Sequence, residues 1–229
     1  MAPTEVYEVL AEKGVHTIYH ANSVLTSLSF MEVQGLASRG YNETNGLLQT
    51  DQYTDNLDKH FGIWDDVFFD TVDIHNRISN RNQYGPVLFS VSTDFLLDLP
   101  IASRALISKK NPTEWHSCPT ENDKYFLSRE ELANGLRIGD FGQMVIVRTP
   151  AKLIPFKNSV KAVVLDDPGV SQQGGISIFE IAKTKLSSVS PTTLSNVIYK
   201  RQCRYGCKCV STYAPNGGLT EAAERSFCF

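Results

Sequence analysis

The stretch Tyr84-Gly85-Pro86-Val87-Leu88-Phe89-Ser90-Val91-Ser92 does more than any other to restrict how this chain folds. A tight Gly-Pro entry followed by β-branched and aromatic residues reads as the start of a buried strand. The polar run Asp73–Gln83 leads into it, carrying His75, Arg77, Arg81 and several amides, and no carboxylate stands between Asp73 and Asp94. A cationic, hydrogen-bonding segment delivered onto the edge of a rigid strand suits an anionic ligand.

Other short elements surround that strand. Val15–His20 has a strand pattern ending at a histidine, and Asn22 or Ser23 can cap a helix that Gly35 stops. Asp51 is expected to cap a short helix, and Trp64, Val67, Phe68 and Val72 predict a second helix to about His75, with Asp65, Asp66, Asp70 and Asp73 as a solvated face, a metal site being the less common alternative. Thr93 or Asp94 caps a helical turn, and Ile101–Ser108 reads as a strand. Residues 111–124 read as a long loop, and Ser128-x-x-Glu131 is a capping box opening a helix to about Arg137. Gln143–Val147 and Val160–Leu165 read as strands, and Ile176–Leu186 and Pro191–Gln202 as helices. With no repeat and no composition break, the pattern predicts an α+β fold in one domain over residues 1–229. Its core spans about 15–186, and a helical, cysteine-containing extension covers about 187–229.

Bulk properties narrow the class. The net charge of −3 does not mark a nucleic-acid binder, but its distribution is uneven: residues 1–75 hold three Lys/Arg against twelve Asp/Glu. That segregation can steer a polyanion toward the later part of the chain, or it is simply a polarised surface. No apolar run approaches the roughly 20 residues of a membrane span, and the first residues lack a secretory pattern, so a cytoplasmic protein without a membrane partner is expected. Cys203-x3-Cys207-x-Cys209 with the distant Cys228 resembles a metal site only loosely, since it lacks the usual zinc-knuckle spacing, so these cysteines read as structural or incidental thiols rather than zinc ligands, two of which can pair on oxidation, and no metal site is assigned. Lys200, Arg201, Arg204 and Lys208 around Tyr199 and Tyr205 form a basic, aromatic cluster that reads as a nucleic-acid surface or a solvated helix end.

The order of three pieces resembles the ADP-ribosyltransferase fold, and within it the DarT-like enzymes that modify nucleic-acid bases. Ile18-Tyr19-His20 followed by a helix and Gly35-Leu36 is similar to that group's first strand, and Tyr84–Phe89 to its second. Gln143–Val147, then Pro150 and Leu153-Ile154, resembles the strand that carries the catalytic glutamate. The resemblance implies a split β-sheet core and NAD as co-substrate. His20 and Asn22 would hold the adenosine half, with Tyr84 beside the cofactor; Arg77 would hold or polarise the phosphates, Arg81 being the reserve. The implied partners are single-stranded DNA or RNA and an antitoxin protein, in a toxin–antitoxin or phage-defence system. Residues 39–60 and 111–127 would supply acceptor recognition.

The chemistry explains those residue types. Cleaving the nicotinamide–ribose bond builds positive charge on the sugar, which a carboxylate stabilises, and a base acceptor must lose a proton to some group. Here Gln143 stands where the resemblance places glutamate, and a glutamine can hold a hydroxyl but cannot take a proton. Either Glu130 or Glu131 is the real carboxylate, or the reaction recruits its base elsewhere, or the chain is a non-catalytic binder with an NAD pocket. A protein side chain is the alternative acceptor. Outside the motif context, His20 reads as a satisfied core histidine, Arg77 and Arg81 as partners of upstream carboxylates, and Gln143 as an edge-strand amide.

Overall fold

The computed structural model describes residues 1–77, 84–117, 119–157, 159–172, 174–190, 194, 198–204 and 206–228. Helix α1 (Pro3–Glu12) buries Val6, Val9 and Leu10 and leads into β1 (Thr17–Asn22). Ser23 accepts from the Thr26 amide to cap α2 (Val24–Glu32), and β2 (Gly35–Ala37) follows. Next come α3 (Arg39–Thr44), α4 (Asp55–His60), β3 (Val67–Phe69) and α5 (Ile74–Arg77). The opening strand of the sequence argument is β4 (Val87–Ser92), and β5 (Arg104–Ile107) runs after a 3-10 turn. Helices α6 (Glu121–Lys124) and α7 (Arg129–Gly135) precede β6 (Val145–Arg148), β7 (Leu153–Pro155) and β8 (Val160–Asp167). The chain then forms α8 (Ile178–Val189), β9 (Ile198–Gln202), α9 (Cys209–Tyr213) and α10 (Glu221–Phe227).

The α+β class expected from the sequence is present, and its strands divide into separate sheets. One has the order β1-β4-β8-β9, antiparallel except for the parallel pair β8–β9; another is antiparallel, β3-β6-β5; β2 and β7 pair apart from both. Five of the six β4 residues are buried, as expected of a strand covered on both faces. The first two sheets meet at one bridge, where Tyr19 and Asp70 exchange backbone hydrogen bonds of 2.9 and 2.8 Å. Beyond it β1 and β3 part. An aromatic core fills the base of the wedge: Phe30 meets Phe89 edge-on at 5.8 Å, and Phe89 stacks on Phe156 at 5.7 Å.

Strands stand within two of the expected helices. The predicted helix through Trp64–His75 is instead β3, with turns on either side and α5 beginning at Ile74, because Val67-Phe68-Phe69 is a β-branched and aromatic run long enough to pair with β6 and too short to show its period. Consequently Asp66, Asp70 and Asp73 do not share one solvated helix face. The end of the predicted helix Pro191–Gln202 is β9, which joins β8 in parallel. No described helix is long and apolar enough to cross a membrane.

Candidate functional site

The wedge between β1 and β3 opens into a cleft holding about 850 Å³ of space continuous with solvent. Its enclosed part is small, about 100 Å³, and the rest lies open to solvent. β1 brings His20 and Asn22 to its floor, since alternate residues of a strand share a face. The His20 ring sits 5.5 Å from Phe30 and 5.9 Å from Phe69, and its Nδ1–H donates to the Phe68 carbonyl at 2.7 Å. That bond fixes the tautomer and leaves Nε2 as an acceptor. Asn22 orients the same way: its Oδ1 accepts from the Ser23 amide (2.9 Å), which turns its NH2 toward His20 Nε2 at 3.4 Å. Burial lowers the His20 pKa, so the ring is neutral and presents a lone pair.

The segment after α3 is tied over the start of α2. Ser23 and Thr50 hydroxyls meet at 2.6 Å, and the Thr50 amide donates to Thr26 Oγ1 at 2.9 Å. This places Arg39, the first residue of α3, on the cleft wall. Its guanidinium lies over the Trp64 ring at 5.2 Å, and one terminal nitrogen, Nη2, donates to Asp55 (2.7 Å) and to the Thr50 carbonyl (3.1 Å). Its Nε and Nη1 are buried and have no hydrogen-bond partner among the described residues. A buried guanidinium with unused donors is costly to leave unmatched, and an anion in the cleft would match it.

Carboxylates line the cleft as well. Asp70 lines the cleft beside the sheet-to-sheet bridge, and burial pushes its carboxyl up to about 7. Burial and the neighbouring Asp55 raise Asp58 to about 6. Tyr84 stands near both, and burial, then the Asp70 charge, pushes its phenol up to about 12. Asp66 is spoken for: Arg148 grips it with two bonds of 2.7 and 2.8 Å and also donates to the Gly62 carbonyl.

No protein-family model matches the chain, and no curated protein matches it. Among solved structures, that of "Thermus sp. 2.9 DarT in complex with ADP-ribosylated ssDNA" is similar. Its TM-score is 0.48 at 9% identity, over 84% of this chain and 95% of that one.

The structure thus brings His20, Asn22 and Tyr84 to one cleft, and segments 39–60 and 111–127 to its rim through Gln52, Thr54 and Thr113. It does not bring Gln143 there. That side chain is buried, its Oε1 accepting from the Arg137 amide (2.7 Å) and its NH2 donating to the Gly135 carbonyl (3.1 Å), so it fastens the end of α7. The neighbouring Met144 lines the cleft instead. Glu131 pairs with Lys109 at 2.5 Å and caps α7, and Glu130 is exposed on the same short helix. The Arg77 side chain and all of Arg81 lie outside the described residues.

The basic cluster near the C-terminus is largely engaged. Lys200 pairs with Asp167 at 2.7 Å, and Arg201 bonds Asp166 at 2.5 Å and also Asp73. The sequence pattern puts Asp70 on a solvated helix face and Arg39 only within the 39–60 acceptor segment. Arg39 did carry a signal, as the one arginine in the acidic first 75 residues. Asp70 carried none, because its cleft position depends on β3 being a strand.

Proposed function

We propose that the chain is an NAD-dependent ADP-ribosyltransferase that modifies a nucleobase in single-stranded DNA or RNA, as the effector of a toxin–antitoxin or phage-defence system. The observation that carries this reading is the cleft itself. At the parting of two sheets it gathers a neutral histidine acceptor, an asparagine, and a half-buried arginine whose buried Nε–H and Nη1–H groups are unused. A ribose hydroxyl can replace the long 3.4 Å contact of the Asn22 NH2 as donor to His20 Nε2, leaving Asn22 to donate to the ligand beside it. Arg39 would hold the pyrophosphate, with Arg77 as the second cation that the sequence resemblance implies. Tyr84 offers a ring on which nicotinamide can stack.

In the reaction the C1′–N bond to nicotinamide breaks, its electron pair leaving with neutral nicotinamide. A nitrogen or oxygen of the base forms the new bond to C1′ and gives up its proton. Asp70 is assigned as the group that receives that proton. Its carboxyl titrates near 7 and lies in the cleft, so it is matched to proton transfer at neutral pH. When ionised it also stabilises the positive charge growing on the sugar.

The test is incubation of the purified protein with NAD labelled in its adenylate part and with single-stranded DNA and RNA oligonucleotides. Wild-type protein should label an oligonucleotide, and His20→Ala and Arg39→Ala should not. Label on protein alone would replace the acceptor, and the absence of NAD binding in calorimetry would end the proposal. One observation favours a second reading, a binder without activity: the amide of Gln143 is spent inside the fold, and β6 brings no carboxylate to the cleft. That reading expects NAD binding with no release of nicotinamide.

A further inference from the structure

Three cysteines that play no part in the cleft converge in the C-terminal region. Cys203 follows β9, and its amide donates to the Asp167 carbonyl at the end of β8 (2.9 Å). Cys207 closes a turn onto the Arg204 carbonyl (3.0 Å), and Gly206 supplies the positive φ of +81° that the turn requires. Cys209 is the first residue of α9, whose last turn is held by the Thr220 hydroxyl on the Thr212 carbonyl at 2.8 Å. Separate anchors therefore bring the three sulfurs within 4.8 Å of one another, with Cys209 buried and the other two half-buried.

We infer that Cys203, Cys207 and Cys209 form a thiolate site for one Zn²⁺ ion. Tetrahedral zinc holds sulfur at about 2.3 Å, which sets ligand sulfurs roughly 3.8 Å apart, and the observed cluster brackets that spacing. The closest pair, Cys207 and Cys209 at 3.0 Å, is well beyond the about 2.05 Å of a disulfide. Soft thiolates select zinc over hard cations, and a set of three leaves the fourth position to water or another donor. Binding converts three thiols and one Zn²⁺ into a tris-thiolate complex and releases three protons. The exposed Lys208, between two of the ligands, offsets part of the net negative charge. The ion would clamp β9 and α9 together, fastening the tail to the main sheet. This revises the reading of these residues as structural thiols, and it is independent of the function proposed for the cleft.

The experiment adds Co²⁺ to reduced, chelator-treated full-length protein and follows the thiolate charge-transfer and tetrahedral d–d bands. The bands should saturate at one Co²⁺ per chain, bleach when Zn²⁺ is added, and be lost in Cys203→Ser and Cys209→Ser. Cys228→Ser should retain them, since Cys228 caps α10 and is not among the three. Protein purified without chelators should contain one zinc by mass spectrometry of metals, and removing it should lower the melting temperature reversibly. Absence of thiolate bands in the reduced wild-type protein would overturn the inference whatever the variants do. So would equal loss in Cys228→Ser, or an isolated protein lighter by two hydrogens because two of the three form a disulfide.

Discussion

Gly85 holds a backbone conformation at φ +136°, and a Cβ placed there would lie 2.3 Å from the Asn22 carbonyl oxygen and 2.4 Å from the Ser23 nitrogen. Gly85→Ala therefore adds two penalties. An L-residue at that φ costs about 1–3 kcal/mol, and forcing the overlap apart costs about 1–3 kcal/mol more. The sum, roughly 2–6 kcal/mol, corresponds to a fall in Tm of about 4–24 °C for a chain of this size. Gly14 is the control, with φ +74° and nothing within 4 Å of the point where a Cβ would stand, so Gly14→Ala carries only the conformational penalty, about 1–2 kcal/mol. Because the overlap is with the peptide after Asn22, the relaxed Gly85→Ala variant must also displace Asn22 from His20. Two-state urea titration and thermal melts give the stability difference, and calorimetry with NAD well below the melting point gives the second effect. If the two alanine variants melted within about 2 °C of each other, the close approach of β4's entry to β1 would be refuted. If NAD bound Gly85→Ala as tightly as wild type, Asn22 would be excluded from the site.

Arg39→Ala should weaken NAD binding by roughly 10- to 100-fold in calorimetry, the equivalent of about 1.5–3 kcal/mol for a charge-assisted hydrogen bond. Asp70 has a folded pKa of about 7, above its unfolded value of about 3.9. The native state thus binds the extra proton between those values, and stability declines as pH rises from about 4 through 7 and levels off above. Asp70→Asn should raise stability at pH 8 by roughly 1–4 kcal/mol without changing it below pH 4, while abolishing transfer; a wild-type transfer rate that did not rise as pH passes through 7 would remove Asp70 as the base. Gln143→Leu leaves the Arg137 amide and Gly135 carbonyl unpaired and should destabilise by about 2–4 kcal/mol in urea titration. At a temperature where that variant is folded, NAD binding should be unchanged, and a lost affinity would return Gln143 to the site.

The central strand was legible because Gly85-Pro86 and the apolar run after it leave few alternatives, and β4 spans Val87–Ser92 as that pattern implies. The β1 end was legible for the same reason: a strand closing on His20 and a capped helix are both local signals. Local pattern failed where pairing across the chain decides the outcome. Val67-Phe68-Phe69 is a strand only because β6 lies beside it, and Ile198–Gln202 only because β8 does. Asp70 and Arg39 inherit that dependence, since neither is a site residue until β3 and α3 have been placed. Gln143 shows a finer limit. Successive side chains alternate in direction, so a placement one residue off exchanges the cleft-facing Met144 for an amide that fastens a helix.

The parallel pairing of β8 with β9 has a consequence for how the molecule is assembled on a ribosome. Neighbours in the main sheet come from residues 17–22, 87–92, 160–167 and 198–202, so every pairing in it joins distant parts of the chain. Such a sheet closes slowly, because loop entropy must be overcome before each contact forms. As the chain emerges, β1 waits for β4, β4 for β8, and β8 keeps one edge uncovered until residue 202 has been synthesised. The sheet that carries His20 and Asn22 is therefore complete only once residue 202 has been made, and the nascent chain passes through a stage with an open strand edge that invites pairing with other chains.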